Sequence, residues 1–420
     1  MSSKVVGIVK LEDAVISSNT GADAIKRAPI VEENTGMRCL RIGDISNNRP
    51  FSEWGFTKAE EKVISKFLLK KDDIIIARTG NTIGVVKFIE EDLNALYNNG
   101  LIRIKVDTNK FYPKYIYYNL DSQRFRDFVY SISGGTSTQP NMKINHTLKY
   151  EILDYPLKEQ KAIAHILSSI DEKIETNIQI NKRLEKMAQA IFKEWFIDYE
   201  FPIETGELYK SSGGEMVESE LGLIPKGWKL NALYDLADYI NGTSFKKGEI
   251  SEETGIPIIK IAELKQGISH STKYFNGIKP EKYNLNNGDI LFSWSGNPET
   301  SIDTFIWYRG EGILNQHIFK VEPYKFGKEL IYLILKYYKS LFTSIASNKQ
   351  TTGLGHVTVS DLKRIKIALP SDKIINEFTN IINPLINEVY TNCLENFVLE
   401  KTRNMILPKL MTGEIRYPLE

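Results

Sequence analysis

Apolar residues recur with heptad spacing along two long stretches of the chain, and the stretches match position for position. The first seam runs Ile163, Leu167, Ile170, Ile174, Asn177, Asn181, Leu184, Ala188, Ile191, Trp195. The second runs Phe378, Ile382, Leu385, Val389, Asn392, Asn396, Leu399, Arg403, Ile406, Leu410, each residue 215 further on. Steps of three and four predict an amphipathic helix with one stripe to bury. A seam from 163 to 195 covers about 48 Å at helical rise. The twin stripe is the natural partner. In antiparallel pairing the numbers of facing residues sum to 573, which sets Asn177 against Asn396 and Asn181 against Asn392. Buried amide pairs cost stability but define register, because a slip leaves them facing aliphatic side chains. The simpler alternative packs each helix on its own module, with the asparagines at a solvated edge. Pro384 and Pro408 are expected to kink or shorten the second helix.

The repetition extends upstream of the helices. Leu11-Glu-Asp-Ala-Val answers Leu233-Tyr-Asp-Leu-Ala, and Lys71-Asp-Asp-Ile-Ile-Ile-Ala-Arg-Thr-Gly answers Asn287-Gly-Asp-Ile-Leu-Phe-Ser-Trp-Ser-Gly. Runs rich in β-branched residues at 73–77, 101–106, 289–293 and 317–321 predict strands, with helices following at 113–130 and 328–347. The expected fold class is α+β: two tandem modules, each with a small curved sheet and each followed by a long helix. The helices pair as an antiparallel coiled coil with pseudo-two-fold symmetry. The expected boundaries are a first module at 1–156, a central helix at 157–198, a linker at 199–226, a second module at 227–370 and a C-terminal helix at 371–415.

Composition narrows the setting without naming a function. The chain of 420 residues has a formal net charge of +1, which neither demands nor forbids a nucleic-acid partner. No apolar run is long enough to span a bilayer, and the N-terminus lacks a signal-peptide pattern, so we expect no membrane association. The two cysteines, Cys39 and Cys393, lie in unrelated contexts, and a reducing cytoplasm is expected.

Several longer motifs carry a family resemblance. They are Pro156-Leu-Lys-Glu-Gln-Lys-Ala-Ile-Ala, the run Leu167 to Ile174, Phe192-Lys-Glu-Trp-Phe-Ile-Asp-Tyr-Glu-Phe-Pro, the stretch Gly213 to Trp228, and Leu407-Pro-Lys-Leu-Met-Thr-Gly-Glu-Ile. In this order the chain resembles the specificity (S) subunit of a type I restriction-modification enzyme, a host-defence DNA methylation and cleavage system. The resemblance implies that each module is a target-recognition domain reading one half of a bipartite, asymmetric DNA target. It further implies helices that set the spacing and dock two methyltransferase subunits, with restriction/translocase subunits joining for cleavage. It implies no cofactor in this chain; S-adenosylmethionine, ATP and Mg belong to the partner subunits.

Two loops per module are candidate reading elements. In the first module they carry Arg78, Thr79 and Asn81, then Thr136, Ser137, Thr138, Gln139, Asn141 and Lys143. In the second they carry Trp294, Ser295 and Asn297, then Lys349, Gln350, Thr351 and His356. Arg suits guanine, Asn and Gln suit adenine, and hydroxyls and Lys suit base edges or phosphates. Neither 131–150 nor 341–360 contains an acidic residue. The alternative is that these are solvated turns shaped by Gly-Gly and Gln-Pro. Asn98-Asn99-Gly100 and Asn315-Gln316-His317 begin matched strands and are explained equally well as capped turns. Trp54 and Trp228 read as core or interface anchors.

Catalytic equipment is not found. There is no Asn-Pro-Pro-aromatic tetrapeptide, no methyl-donor glycine loop and no phosphate cradle, and the five histidines lack metal-ligand spacing. We therefore expect a non-catalytic subunit. Two other readings stand beside it: a coiled-coil adaptor whose two heads bind proteins, and the specificity subunit of another multi-subunit modification system.

Overall fold

A computed structural model describes residues 6–80, 82–133, 141–269, 271–350 and 354–416. The chain divides into two compact units: Met1–Glu172 with Leu399–Glu420, and Lys173–Val398. Each unit therefore holds one module together with a segment of both long helices.

The first unit is built around the strand Ile74–Ala77, whose residues are all buried. It lies in a four-stranded antiparallel sheet in the order Val15–Thr20, Leu101–Val106, Ile74–Ala77, Val86–Phe88. Alternate side chains leave opposite faces of a strand, and here both faces are covered. Ile74 and Ile76 join the core that includes Tyr115, Phe125, Ile163 and Leu410, whereas Ile75 and Ala77 join one that includes Leu40, Trp54 and Tyr97. That second core is closed by another sheet, ordered Ile30–Val31, Phe56–Thr57, Arg38–Leu40, Ala95–Tyr97, with its last pair parallel. The single curved sheet expected per module is thus two sheets sharing a core, because a strand apolar on both faces needs cover on both.

The second unit repeats the plan. Ile290–Ser293 sits within the order Ala237–Asn241, Ile318–Pro323, Ile290–Ser293, Asp303–Ile306, and a five-stranded sheet covers its other face. Ile290 and Phe292 enter the main core, while Leu291 enters a smaller one with Trp307 and Leu314. In each unit an antiparallel clasp joins the start of the module to the strand just before its long helix. The clasps are Gly7–Lys10 with Glu151–Asp154 and Lys229–Ala232 with Lys366–Leu369.

Other expectations need adjusting. The single helices expected at 113–130 and 328–347 are each broken in two, giving Pro113–Leu120 and Gln123–Ile132, then Lys328–Tyr337 and Lys339–Asn348. In the first case Ser122 ends one helix and starts the next, its hydroxyl accepting the Phe125 amide at 3.2 Å as an N-cap. The stretch expected as linker holds a hairpin, Met216–Ser219 with Gly222–Pro225, and its Phe201 stacks on both Tyr209 and Trp228.

The long helices occupy Leu157–Phe196 and Asp372–Thr412, the second continuing through both prolines. No seam position in either helix is exposed. Within the first unit Ile163 and Leu167 share a core with Leu407, Leu410 and Met411, and Arg403 Nη1 donates to Asp171 Oδ1 at 2.6 Å. Within the second unit Phe192 and Phe196 pack on Phe378, with ring centroids 6.3 and 4.7 Å apart. There Asn177 Nδ2 donates to Asn396 Oδ1 at 2.8 Å, and Asn392 Nδ2 donates to Asn181 Oδ1 at 2.9 Å. Facing numbers that rise on one helix and fall on the other define an antiparallel pair.

Candidate nucleic-acid interface

In the first unit the buried strand Ile74–Ala77 delivers Arg78 to the edge of the sheet, where three separate chain segments meet. The Arg78 amide donates to the Gly100 carbonyl at 3.0 Å, and the Arg78 carbonyl accepts from the Met142 amide at 2.8 Å. Thr79 pairs with Asn141 as an antiparallel bridge. Arg78 Nη2 donates to Asn141 Oδ1 at 3.0 Å, which aims the guanidinium, while its buried Nε has no partner among the described residues. Met142 is fully buried and anchors the second loop in the core, leaving Asn141 and Lys143 exposed on either side of it. Thus Arg78, Thr79, Asn141 and Lys143 are brought together. Asn81, Thr136, Ser137, Thr138 and Gln139 lie outside the described residues.

The second unit builds the same junction with different side chains. Ser295 pairs with His356 and Gly296 with Gly355, and the Val357 amide donates to the Trp294 carbonyl at 2.8 Å. Val357 is fully buried, the counterpart of Met142. The Trp294 amide faces the His317 carbonyl at 3.4 Å, just as Arg78 faces Gly100. Trp294 is half-buried, with its ring centroid 5.5 Å from that of Phe319 and 6.0 Å from that of His317. Its Nε1 donates to Asn241 Oδ1 at 3.0 Å.

Two of the candidate reading residues are held by local structure. Asn297 caps the short helix Pro298–Ser301, its Oδ1 accepting the Thr300 amide at 3.1 Å. Lys349 is ion-paired to the buried Asp361. Burial alone would push the Asp361 carboxyl up, but Lys349 and the Thr358 hydroxyl and amide outweigh it and hold the group below its usual range. Gln350 is exposed; Thr351 lies outside the described residues.

The approach of a third segment to each junction depends on a close backbone contact. A Cβ on Gly21 would stand 2.3 Å from the carbonyl oxygens of Tyr97 and Asn98, and one on Gly242 would stand 2.1 Å from that of Asn315. Only glycine allows it. The parallel bridges Ala22–Asn98 and Thr243–Asn315 follow directly. The segments 98–100 and 315–317, equally readable as turns in the sequence, therefore belong to the junctions. Asn241 was missed altogether, since a single amide at a strand end carries no signal. Trp54 and Trp228 are both buried, Trp54 donating Nε1 to the Arg49 carbonyl at 3.0 Å. Among the described residues no group of three or more His, Cys, Asp or Glu is placed to hold a metal ion, and no helix is long and apolar enough to cross a membrane.

A family model described as the type I restriction modification DNA specificity domain matches residues 7–186 and again 225–395. The chain is 29% identical over 335 residues to the type I restriction enzyme MjaIX specificity subunit of Methanocaldococcus jannaschii, across 77% of this chain and 74% of that one. It is 25% identical over 449 residues to the type I restriction enzyme HindI specificity subunit of Haemophilus influenzae, across 90% of this chain and 94% of that one. Among solved structures, the S subunit of a type I restriction-modification system from M. genitalium matches with a TM-score of 0.53 at 16% identity, over 98% of this chain and 97% of that one, a likeness of fold.

Proposed function

The chain belongs to the type I restriction-modification DNA specificity family, and we propose that each of its modules reads one half of a split, asymmetric duplex target. The long helices then set the distance between the halves, with the four seam asparagines holding their register, and dock two methyltransferase subunits. Restriction/translocase subunits complete the assembly. In this reading the chain divides into recognition module, helix, linker, recognition module and helix at 156, 198, 226 and 370. Catalysis, with S-adenosylmethionine, ATP and Mg, resides on those partners, and the complex works in the cytoplasm.

One observation carries this reading. In each unit two loops separated by about sixty residues are bridged at the end of a doubly buried strand, at Thr79–Asn141 and Ser295–His356. Such a junction presents side chains on a rigid platform, as base-edge readout requires. The two platforms carry different donors, which favours unlike half-targets. Ile178, Ile180 and Met187 are exposed on the first long helix, apolar side chains that suit a protein partner.

The test is co-expression with the methyltransferase subunits of a type I system from the same host, followed by mapping of methylated adenines across the host genome. A single split, asymmetric motif that vanishes when this chain is omitted is the expected result. Unchanged methylation without the chain would overturn the reading and favour a protein-binding adaptor.

A further inference from the structure

The matched positions Arg78 and Trp294 do not offer the same chemistry, although the backbone holds them alike. Each follows a buried strand, each meets the carbonyl of a third segment, and each accepts the amide of a buried anchor. Arg78 presents a guanidinium fork. Trp294 has one donor, Nε1, and it is already given to Asn241 at 3.0 Å. Its ring offers a surface but no hydrogen bond to a base edge.

The missing donors reappear on the third segment of the second unit. Where the first unit has Gly100, without a side chain, the second has His317, exposed and lying against the Trp294 ring. Gln316 is exposed beside it, and the two Nε2 atoms are 3.3 Å apart. An amide nitrogen can only donate, so the imidazole nitrogen accepts. Among the described residues that contact leaves the Gln316 oxygen and its second N–H without another partner, side by side. This donor–acceptor pair matches the N7 acceptor and N6 donor of adenine in the major groove.

We propose that Gln316 is a specificity-determining residue of the second module, reading an adenine-bearing base pair, with His317 as its positioning residue on the shelf made by Trp294 and Asn241. The proposal rests on the reading of this chain as a DNA specificity subunit. It assigns base discrimination in this half-target to the 315–317 turn rather than to the two loops alone.

The experiment uses the full chain assembled with its methyltransferase subunits and maps methylated sites genome-wide. Gln316→Ala is expected to relax one position of the second half-motif, with discrimination there falling on the order of 10- to 100-fold, and to leave the first half unchanged. Gln316→Glu, which can only accept, is expected to move that position toward a pair presenting the cytosine amino group. His317→Ala weakens discrimination at the same position, and His317→Asn restores part of it by keeping an acceptor. Wild-type motifs at wild-type efficiency in both Gln316 variants would overturn the proposal. So would a general fall in methylation with an unaltered motif, the signature of a structural role, or a change in the first half. Failure of the parent reading is visible earlier, as methylation that does not depend on the wild-type chain.

Discussion

Replacing Asn392 by leucine removes one member of an amide pair sealed between the two long helices. Asn392 and Asn181 are 5% and 9% exposed, so the Asn181 oxygen that accepts from Asn392 Nδ2 at 2.9 Å has little access to water once the partner is gone. An orphaned buried acceptor costs about 1–3 kcal/mol, and the extra apolar contact of leucine offsets only part of it. Asn181→Leu strands Asn392 Nδ2 instead and removes the extra bond from Asn181 Nδ2 to the Val389 carbonyl at 3.2 Å, and its cost lies in the same range. The double replacement removes the mutual penalty and packs leucine on leucine at a seam position, so its net effect is about zero or stabilising. A double-mutant cycle in urea, followed by tryptophan fluorescence, then yields a coupling of about 1–3 kcal/mol between the two sites. Single variants as stable as wild type, or a double variant whose loss equals the sum of the singles, would refute the buried-pair reasoning. With Asn177 and Asn396 also changed to leucine, the seam loses both of its described amide pairs. The methylated motif should then show more than one spacer length if the pairs hold the register.

Three further outcomes follow from local geometry. Asp121 sits beside Tyr117, Arg126 and Asp171, and burial first, then Asp171, pushes its carboxyl up to about 6 against the pull of Arg126 and Arg403. A raised carboxyl stabilises the folded state below its unfolded value of about 3.9, and that contribution is lost as pH rises through about 6. Asp121→Asn should therefore gain melting temperature relative to wild type between pH 4 and 7, by much less than full linkage since about a third of the side chain reaches solvent; a constant difference across that range would refute it. Gly242→Ala puts a methyl 2.1 Å from the Asn315 oxygen and must displace backbone, costing about 1–3 kcal/mol or more in thermal unfolding and altering the second half-motif first. Asn141→Ala frees the Arg78 fork, so discrimination in the first half-motif should fall by about 1–3 kcal/mol, read from methylation efficiency at matched and mismatched sites.

The helices and their register were legible because a heptad repeat is a one-dimensional signal, and a duplicated one even supplies its partner. Strands such as Ile74–Ala77 were legible as continuous apolar runs, although the run does not say that two different sheets claim its alternate faces. The breaks at Ser122 and Tyr338 were not legible, since each flanking helix keeps a plausible period across them. At the candidate site, loops rich in glycine and amides were visible, but their union was not. The Thr79–Asn141 bridge spans some sixty residues, and nothing local in either loop announces the other. Asn297 and Lys349 show the opposite problem. Their types suit DNA, yet a helix cap and a buried Asp361 already use them.

What the two units share and where they differ follows one physical division. Asp73 and Asp289 each accept a backbone amide three residues earlier at 2.9 Å, and Asp44 and Glu263 do the same at 2.9 and 3.0 Å. Gly21 and Gly242 each admit a carbonyl that any side chain would exclude. These positions answer to backbone geometry, which is common to both units, and each accepts few residue types. Arg78 and Trp294, Asn141 and His356, Gly100 and His317 stand at the ends of that scaffold, half-buried or exposed, where packing dictates little. A duplicated module can thus keep its framework residues and exchange its terminal ones at small cost in stability. On that argument the two half-targets should be exchangeable between modules by transplanting only the residues at the three-segment junctions. A transplant of Arg78, Asn99, Gly100 and Asn141 into positions 294, 316, 317 and 356 that folds but leaves the second half-motif unchanged would show that discrimination lies elsewhere.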